Sequence, residues 1–181
     1  MATLIVEDGS GLTTANSYIT VAEALIILDV KPTQLAAFTA LDDATQANYL
    51  IWASGWLDDY MDWKGDKTVD DSGLRWPRCG VYDCDNILIG ENVIPEQLKQ
   101  ATAEIAVWLI GNDVAGTGGQ SSNLPEGIKS VKADVVEVEF FETGSADSQS
   151  GSDLLPVNTR FLLRCIGKPI VGRKRFVPAV R

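Results

Sequence analysis

Apolar residues recur at steps of three and four through most of the first 110 positions, alternate near 130–140, and lose their period at the end. Val21, Ala24, Leu25 and Leu28 share one face of a predicted first helix that stops before Pro32. Ser17 or Thr20 can cap it, and Glu23 stands three residues after Thr20, the spacing at which hydroxyl and carboxylate satisfy each other's backbone N–H groups. Before it, TLIV at 3–6 reads as a short strand ended by the turn Glu7-Asp8-Gly9-Ser10-Gly11. Thr33 to Leu41 reads as a second short helix. The strongest helical pattern runs from Asp43 to Trp63, with Ala47, Leu50, Ile51, Ser54, Leu57, Asp58 and Met61 in one stripe and Tyr49, Trp52, Trp56, Tyr60 and Trp63 in a second. A helix apolar over so much of its circumference must pack on more than one side. Trp52 and Trp56 are expected in the core, and Tyr60 and Trp63, at the helix exit, at a subunit interface or as an anchor of the loop that follows.

That loop, residues 64–94, is rich in Gly and Asp and contains Leu74-Arg75-Trp76-Pro77-Arg78. Connections of this length inside one domain tend to be functional. Trp76 is expected to be extended before Pro77 and to anchor the loop, with Arg75 and Arg78 beside it. A third strong helix opens at Pro95 and Glu96 and stops at Gly111, with Leu98, Ala101, Ile105, Trp108 and Leu109 inward. Residues 113–127 and 143–153 have linker composition, and between them 128–133 and 135–141 alternate as a hairpin turning near Ala133-Asp134. A last short helix over 156–166 is expected to turn Phe161, Leu162 and Cys165 to one side. The fold class expected is mainly α: a small helical bundle with a protruding β-hairpin and an extended C-terminal arm. It divides into 1–112, a helical body with an N-terminal strand and the 64–94 loop; 113–153, flexible stalks carrying the 128–141 hairpin; and 154–181, a short helix and basic arm.

Composition narrows the chemistry. The 181 residues hold no histidine, so Ser-His-Asp, Cys-His and His-ligated metal mechanisms are excluded. The net charge of −10 argues against a whole-surface nucleic-acid binder. Up to Asp153 the chain has 25 acidic and 8 basic residues, a balance of −17, and the remainder carries +7. Such asymmetry points to a tail that meets an acidic partner. Three cysteines and the absence of a leader-like start argue for a reducing cytoplasm and against a disulfide framework. Cys79 and Cys84 could hold zinc only if Cys165 and a carboxylate converged on them, and Asp83, Asp85 and Glu91 read as a polar turn, not a calcium loop. Asp58, Asp59 and Asp62 read as a solvated acidic face. Gly116-Thr117-Gly118-Gly119 lacks the following Lys-Ser/Thr of a phosphate loop. No stretch is long enough to span a bilayer. No catalytic residue, metal or cofactor is expected, and the chain reads as an assembly component, not an enzyme.

Four segments, LIVEDGSGLTTANSYITVAEA at 4–24, WLDDYMDWKG at 56–65, LRWPRCGVYDCDN at 74–86 and IPEQLKQATAEIAVWL at 94–109, occur in that order in a tailed-phage family. The chain resembles the head-to-tail adaptor (connector, head-completion) proteins, a family often labelled a DnaT-like single-stranded-DNA-binding domain. The basic C-terminal arm departs from the short apolar end expected there. The resemblance implies a homo-oligomeric ring, commonly of twelve copies, beneath the portal protein in the virion neck, made in the bacterial host cytoplasm. It also implies a tail-side connector or tail-terminator protein as partner and duplex DNA sliding through the lumen without sequence-specific contact. An acidic lumen suits sliding, because it avoids the phosphate contacts that Lys and Arg make. Ile170, Val171, Arg173, Lys174, Arg175, Phe176 and Val177 are the residues expected to meet portal or neighbouring subunit. Tyr60, Trp63, Arg75, Trp76 and Arg78 are the loop anchor or subunit interface. The alternative is a single-stranded nucleic-acid-binding module that uses the basic arm.

Overall fold

The computed structural model describes residues 2–112, 130–133, 136–139 and 155–170. Among them are five helices, α1 (Val21–Leu28), α2 (Pro32–Thr39), α3 (Asp43–Tyr60), α4 (Glu96–Gly111) and α5 (Val157–Leu163). Six short strands pair as β1 (Met61–Trp63) with β6 (Gly167–Pro169), β2 (Asp66–Lys67) with β3 (Arg78–Cys79), and β4 (Ser130–Ala133) with β5 (Val136–Glu139), all antiparallel. The protein is mainly helical, and among the described residues the strands are confined to these two-stranded pairs.

Helix α4 is the hub of the body and packs against α1, α2, α3 and α5. Its residues Leu98, Ala101 to Ala106 and Leu109 are buried, and the small side chains let neighbouring helices approach from several directions. Thr20 caps α1: its side chain accepts from the Glu23 N–H at 3.0 Å while a Glu23 carboxylate oxygen accepts from the Thr20 N–H at 2.8 Å. Glu23 also pairs with Lys99 of α4 at 3.1 Å, and Lys31 pairs with the buried Glu104, so the start of α1 and the α1–α2 junction are both tied to α4.

Three expectations need correction. The TLIV segment forms no strand; it makes one bridge, Val6 to Ser17. Helix α3 ends at Tyr60, and the chain turns extended, so Met61 and Trp63 are buried on one face and Asp62 is exposed on the other. Steps of three and of two both fit those positions, and pairing with β6 decides between them. In α5 the inward residues are Thr159 and Leu163, continued by Ile166, while Phe161 is 63% exposed. The hairpin strands fall inside the predicted ranges, with Ala133 opposite Val136. The linkers and the arm beyond Ile170 lie outside the described residues.

Candidate functional site: a buried aspartate hub beneath an exposed loop

The N-terminal hook is built on one carboxylate. Glu7, 3% exposed, accepts from the N–H groups of Gly9 and Gly11 through Oε1 and of Leu12 through Oε2, at 2.8 to 3.0 Å. Gly9 has φ +98° and lies so close to Asn92 that a Cβ would fall 1.9 Å from its carbonyl oxygen, so only glycine fits there. Asn16 closes the hook by accepting from the Ile5 N–H and donating to the Thr3 carbonyl, both at 2.8 Å. The hook delivers Tyr18 into the core.

There the Tyr18 hydroxyl donates to Asp58 Oδ1 at 2.6 Å. The same oxygen accepts from Trp63 Nε1 at 3.1 Å, and Oδ2 accepts from the Arg75 backbone N–H at 2.9 Å. One carboxylate therefore joins the hook, α3, β1 and the 64–94 loop. Burial pushes the Asp58 pKa up from the ordinary carboxylate value, and the three hydrogen bonds, which favour the charged form, only partly offset it. Burial and the neighbouring Asp58 charge push the Tyr18 phenol well above its usual range. The expectation of a solvated face thus fails for Asp58, which is 8% exposed, while Asp59 and Asp62 are exposed. The signal was its place in the apolar stripe between Leu57 and Met61.

Above the hub, Trp76 is fully buried and meets Trp63 edge to face, with ring centroids 6.0 Å apart. Trp63 is therefore core in this chain, not an exposed interface aromatic. The Trp76–Pro77 peptide is cis. Arg75 is exposed at its side chain, and half-buried Arg78 donates through its guanidinium to the carbonyls of Lys64, Gly65 and Arg75. Both arginines thus belong to the loop's own framework. Tyr60 is half-buried and stacks on Trp56 at 4.3 Å, and Trp56 in turn meets Trp108. Trp52 and Trp56 are half-buried against the core, not enclosed in it.

The outer part of the loop is a small apolar tip. The Asp83 carboxylate accepts from the N–H groups of Asp85 and Ile87, Tyr82 bridges to Leu88, and the Ile89 N–H donates to the Val81 carbonyl at 2.8 Å. This turn presents Tyr82, Ile87, Leu88 and Val93 at 49 to 63% exposure. A disulfide joins Cys84 to Cys165, closing 81 residues, and Cys79 is free. That corrects the expectation of three reduced cysteines: the chain brings positions far apart in sequence to a Cα separation of 5.2 Å, which spacing along the chain could not reveal. A cleft of about 380 Å³ lies beside the bridge, lined by Lys64, Tyr82, Asp83, Asn86 and Arg164 among others.

The predicted arm begins differently from expectation. Lys168 pairs opposite Asp62, and the Ile170 N–H donates to the Tyr60 carbonyl at 2.8 Å, so 167–170 is a strap on the body. The Ile170 backbone is thus held on the body, and its side chain is half-buried. Val171, Arg173, Lys174, Arg175, Phe176 and Val177 lie outside the described residues. Among the described residues, no group of three or more Cys, Asp or Glu could hold a metal ion, and no helix is long and apolar enough to cross a membrane.

The hook, the hub, the loop and the strap all fall within residues 2–171, the part matched by the family model described as "Putative DnaT-like ssDNA binding protein". The chain belongs to that family. The match ends one residue past the Ile170 strap, so the basic segment after 171 lies beyond it. No curated protein and no solved structure matches the chain.

Proposed function

We propose that the chain is a structural subunit of a tailed-phage head-to-tail adaptor, forming a ring beneath the portal that extends the DNA channel and joins head to tail. The observation that carries the reading is the apolar tip, Tyr82, Ile87, Leu88 and Val93, exposed on a loop that Arg75 ties to Asp58 nearer its start, on an acidic body. Several large apolar side chains exposed on one loop suit protein docking. The acidic body keeps passing DNA from sticking, because phosphate contacts rest on free cations. In the body, Lys31, Lys64, Lys67, Arg78 and Lys99 are engaged with carboxylates or backbone carbonyls. The partners are the portal, further copies of the chain and a tail-side protein. The test is attachment of the purified chain to portal-bearing, tail-less heads. Replacing Ile87 and Leu88 by Asp should abolish attachment while leaving the fold intact.

A second reading, single-stranded nucleic-acid binding, is favoured by the family description and by the cleft, where Tyr82 stands beside Lys64 and Arg164. Such proteins combine cations that track the phosphates with aromatic faces on which bases stack. Under this reading the basic arm would add phosphate contacts. Fluorescence anisotropy of a labelled oligonucleotide, repeated across salt concentrations, separates the two, since arm and cleft contacts must weaken steeply with salt.

A further inference from the structure

The apolar tip is joined by one reversible bond to the segment that leads into the C-terminal strap. Cys84 is exposed in the tip turn, and Cys165 lies between α5 and β6, two residues before the strap begins. The hydrogen bonds that shape the turn, from Asp85, Ile87 and Ile89, close within the loop itself. The Cys84–Cys165 bridge is the covalent tie from tip to body. The Lys64 ammonium donates to the Cys165 carbonyl at 2.7 Å, so the body side of the bridge is fixed independently of the tip.

We infer that the Cys84–Cys165 pair is a redox latch that sets whether the tip is fixed against α5. A glutathione thiolate attacks the exposed Cys84 Sγ and expels the Cys165 thiolate. A second glutathione thiolate attacks the glutathione sulfur of that mixed disulfide and expels the Cys84 thiolate. The protein disulfide is thereby reduced to two thiols, which take up the two protons the glutathiones gave up, and glutathione disulfide is formed. Closing the latch is the same sequence reversed, with a small-molecule disulfide as oxidant. In a reducing cytoplasm the tip is open, and in oxidising surroundings it is fixed. Resting on the adaptor reading, this would firm the docking loop once particles leave the cell. The latch itself needs only the isolated chain.

The experiment equilibrates the full-length chain in glutathione buffers from fully reduced to fully oxidised, then traps thiols by alkylation for peptide mass mapping. Amide hydrogen exchange is measured on the same samples. Cys84 and Cys165 should titrate together within the range, with Cys79 alkylated or carrying one glutathione and never paired with either. On reduction, amides of 82–88 should exchange about tenfold faster or more, while those around Trp63 and Trp76 stay protected. Cys84→Ser and Cys165→Ser should each give the fast-exchanging tip at every ratio. The inference is overturned by a bond that survives the most reducing buffer, by thiols that stay free in the most oxidising one, by pairing through Cys79, or by a tip whose exchange ignores reduction. Head attachment enters none of these readouts, so failure of the latch and failure of the adaptor reading are scored separately.

Discussion

Tyr18 and Asp58, 40 residues apart, meet through a 2.6 Å hydrogen bond in which the phenol donates to the buried carboxylate. That contact joins the N-terminal hook to the exit of α3. Asp58→Asn should then cost more than Tyr18→Phe. An asparagine has one acceptor oxygen, so either the Arg75 N–H or the Tyr18 and Trp63 donors would face an NH2 group. About 2–3 kcal/mol is expected for Asp58→Asn and about 1–2 kcal/mol for Tyr18→Phe, read from urea midpoints at unchanged slope.

The pH dependence carries a definite sign. The folded-state pKa of Asp58 is raised above its ordinary value of 3.8, so in the window just above 3.8 the native state holds more protons than the unfolded one. Stability from this group therefore rises as pH falls through the folded pKa. Glu23 has the opposite sign: its carboxylate is held below 4.5 by bonds to Thr20 and Lys99, and its contribution is lost on acidification below that value. The stability of wild type relative to Asp58→Asn should increase as pH drops toward 3.8. A difference that shrinks on acidification would mean the hydrogen bonds outweigh desolvation.

Trp76 closes the hub from the loop side. Trp76→Ala should lower stability by about 3–5 kcal/mol, the range for emptying a buried aromatic site. Thermal melts of the variant should show a large downward shift, and tryptophan emission should lose a buried component. A melt unchanged from wild type would place the indole outside the core.

The helices, the α1 cap and the hairpin were legible because their signals are local: the Thr20–Glu23 box, the periodicity of α3 and α4, and the alternation after 128. The hub was legible only in part: Asp58 stands in the apolar stripe of α3, but its partners Tyr18, Trp63 and Arg75 are brought around it by tertiary structure. Sequence periodicity also cannot say that Met61–Trp63 abandons the helix to pair with residues more than 100 positions later. The Cys84–Cys165 bridge was hidden for the same reason, and compartment arguments pointed the other way.

The strap makes the effect of C-terminal truncation depend on where the cut falls. Ending the chain after Ile170 should leave the melt of the body unchanged, because the β1–β6 pair survives. Ending it after Ile166 removes the strand opposite Met61–Trp63 and should destabilise the body. Gly167→Ala tests the same pairing, since a Cβ would sit 2.9 Å from the Trp63 ring and 3.0 Å from the Met61 methyl carbon. Overpacking of this kind costs about 1–3 kcal/mol. Identical melts for both truncations would remove the strap from the account.

Binding of the full-length chain to purified portal-bearing heads that lack tails tests the central claim most directly. The account predicts a chain that sediments alone as a monomer, since a body at −17 repels its copies. On the heads it should form a stoichiometric ring beneath the portal, visible by cryo-electron microscopy, and Ile87→Asp with Leu88→Asp should abolish that ring. Density absent from the neck, together with tight and salt-sensitive binding of single-stranded DNA by the same preparation, would contradict it.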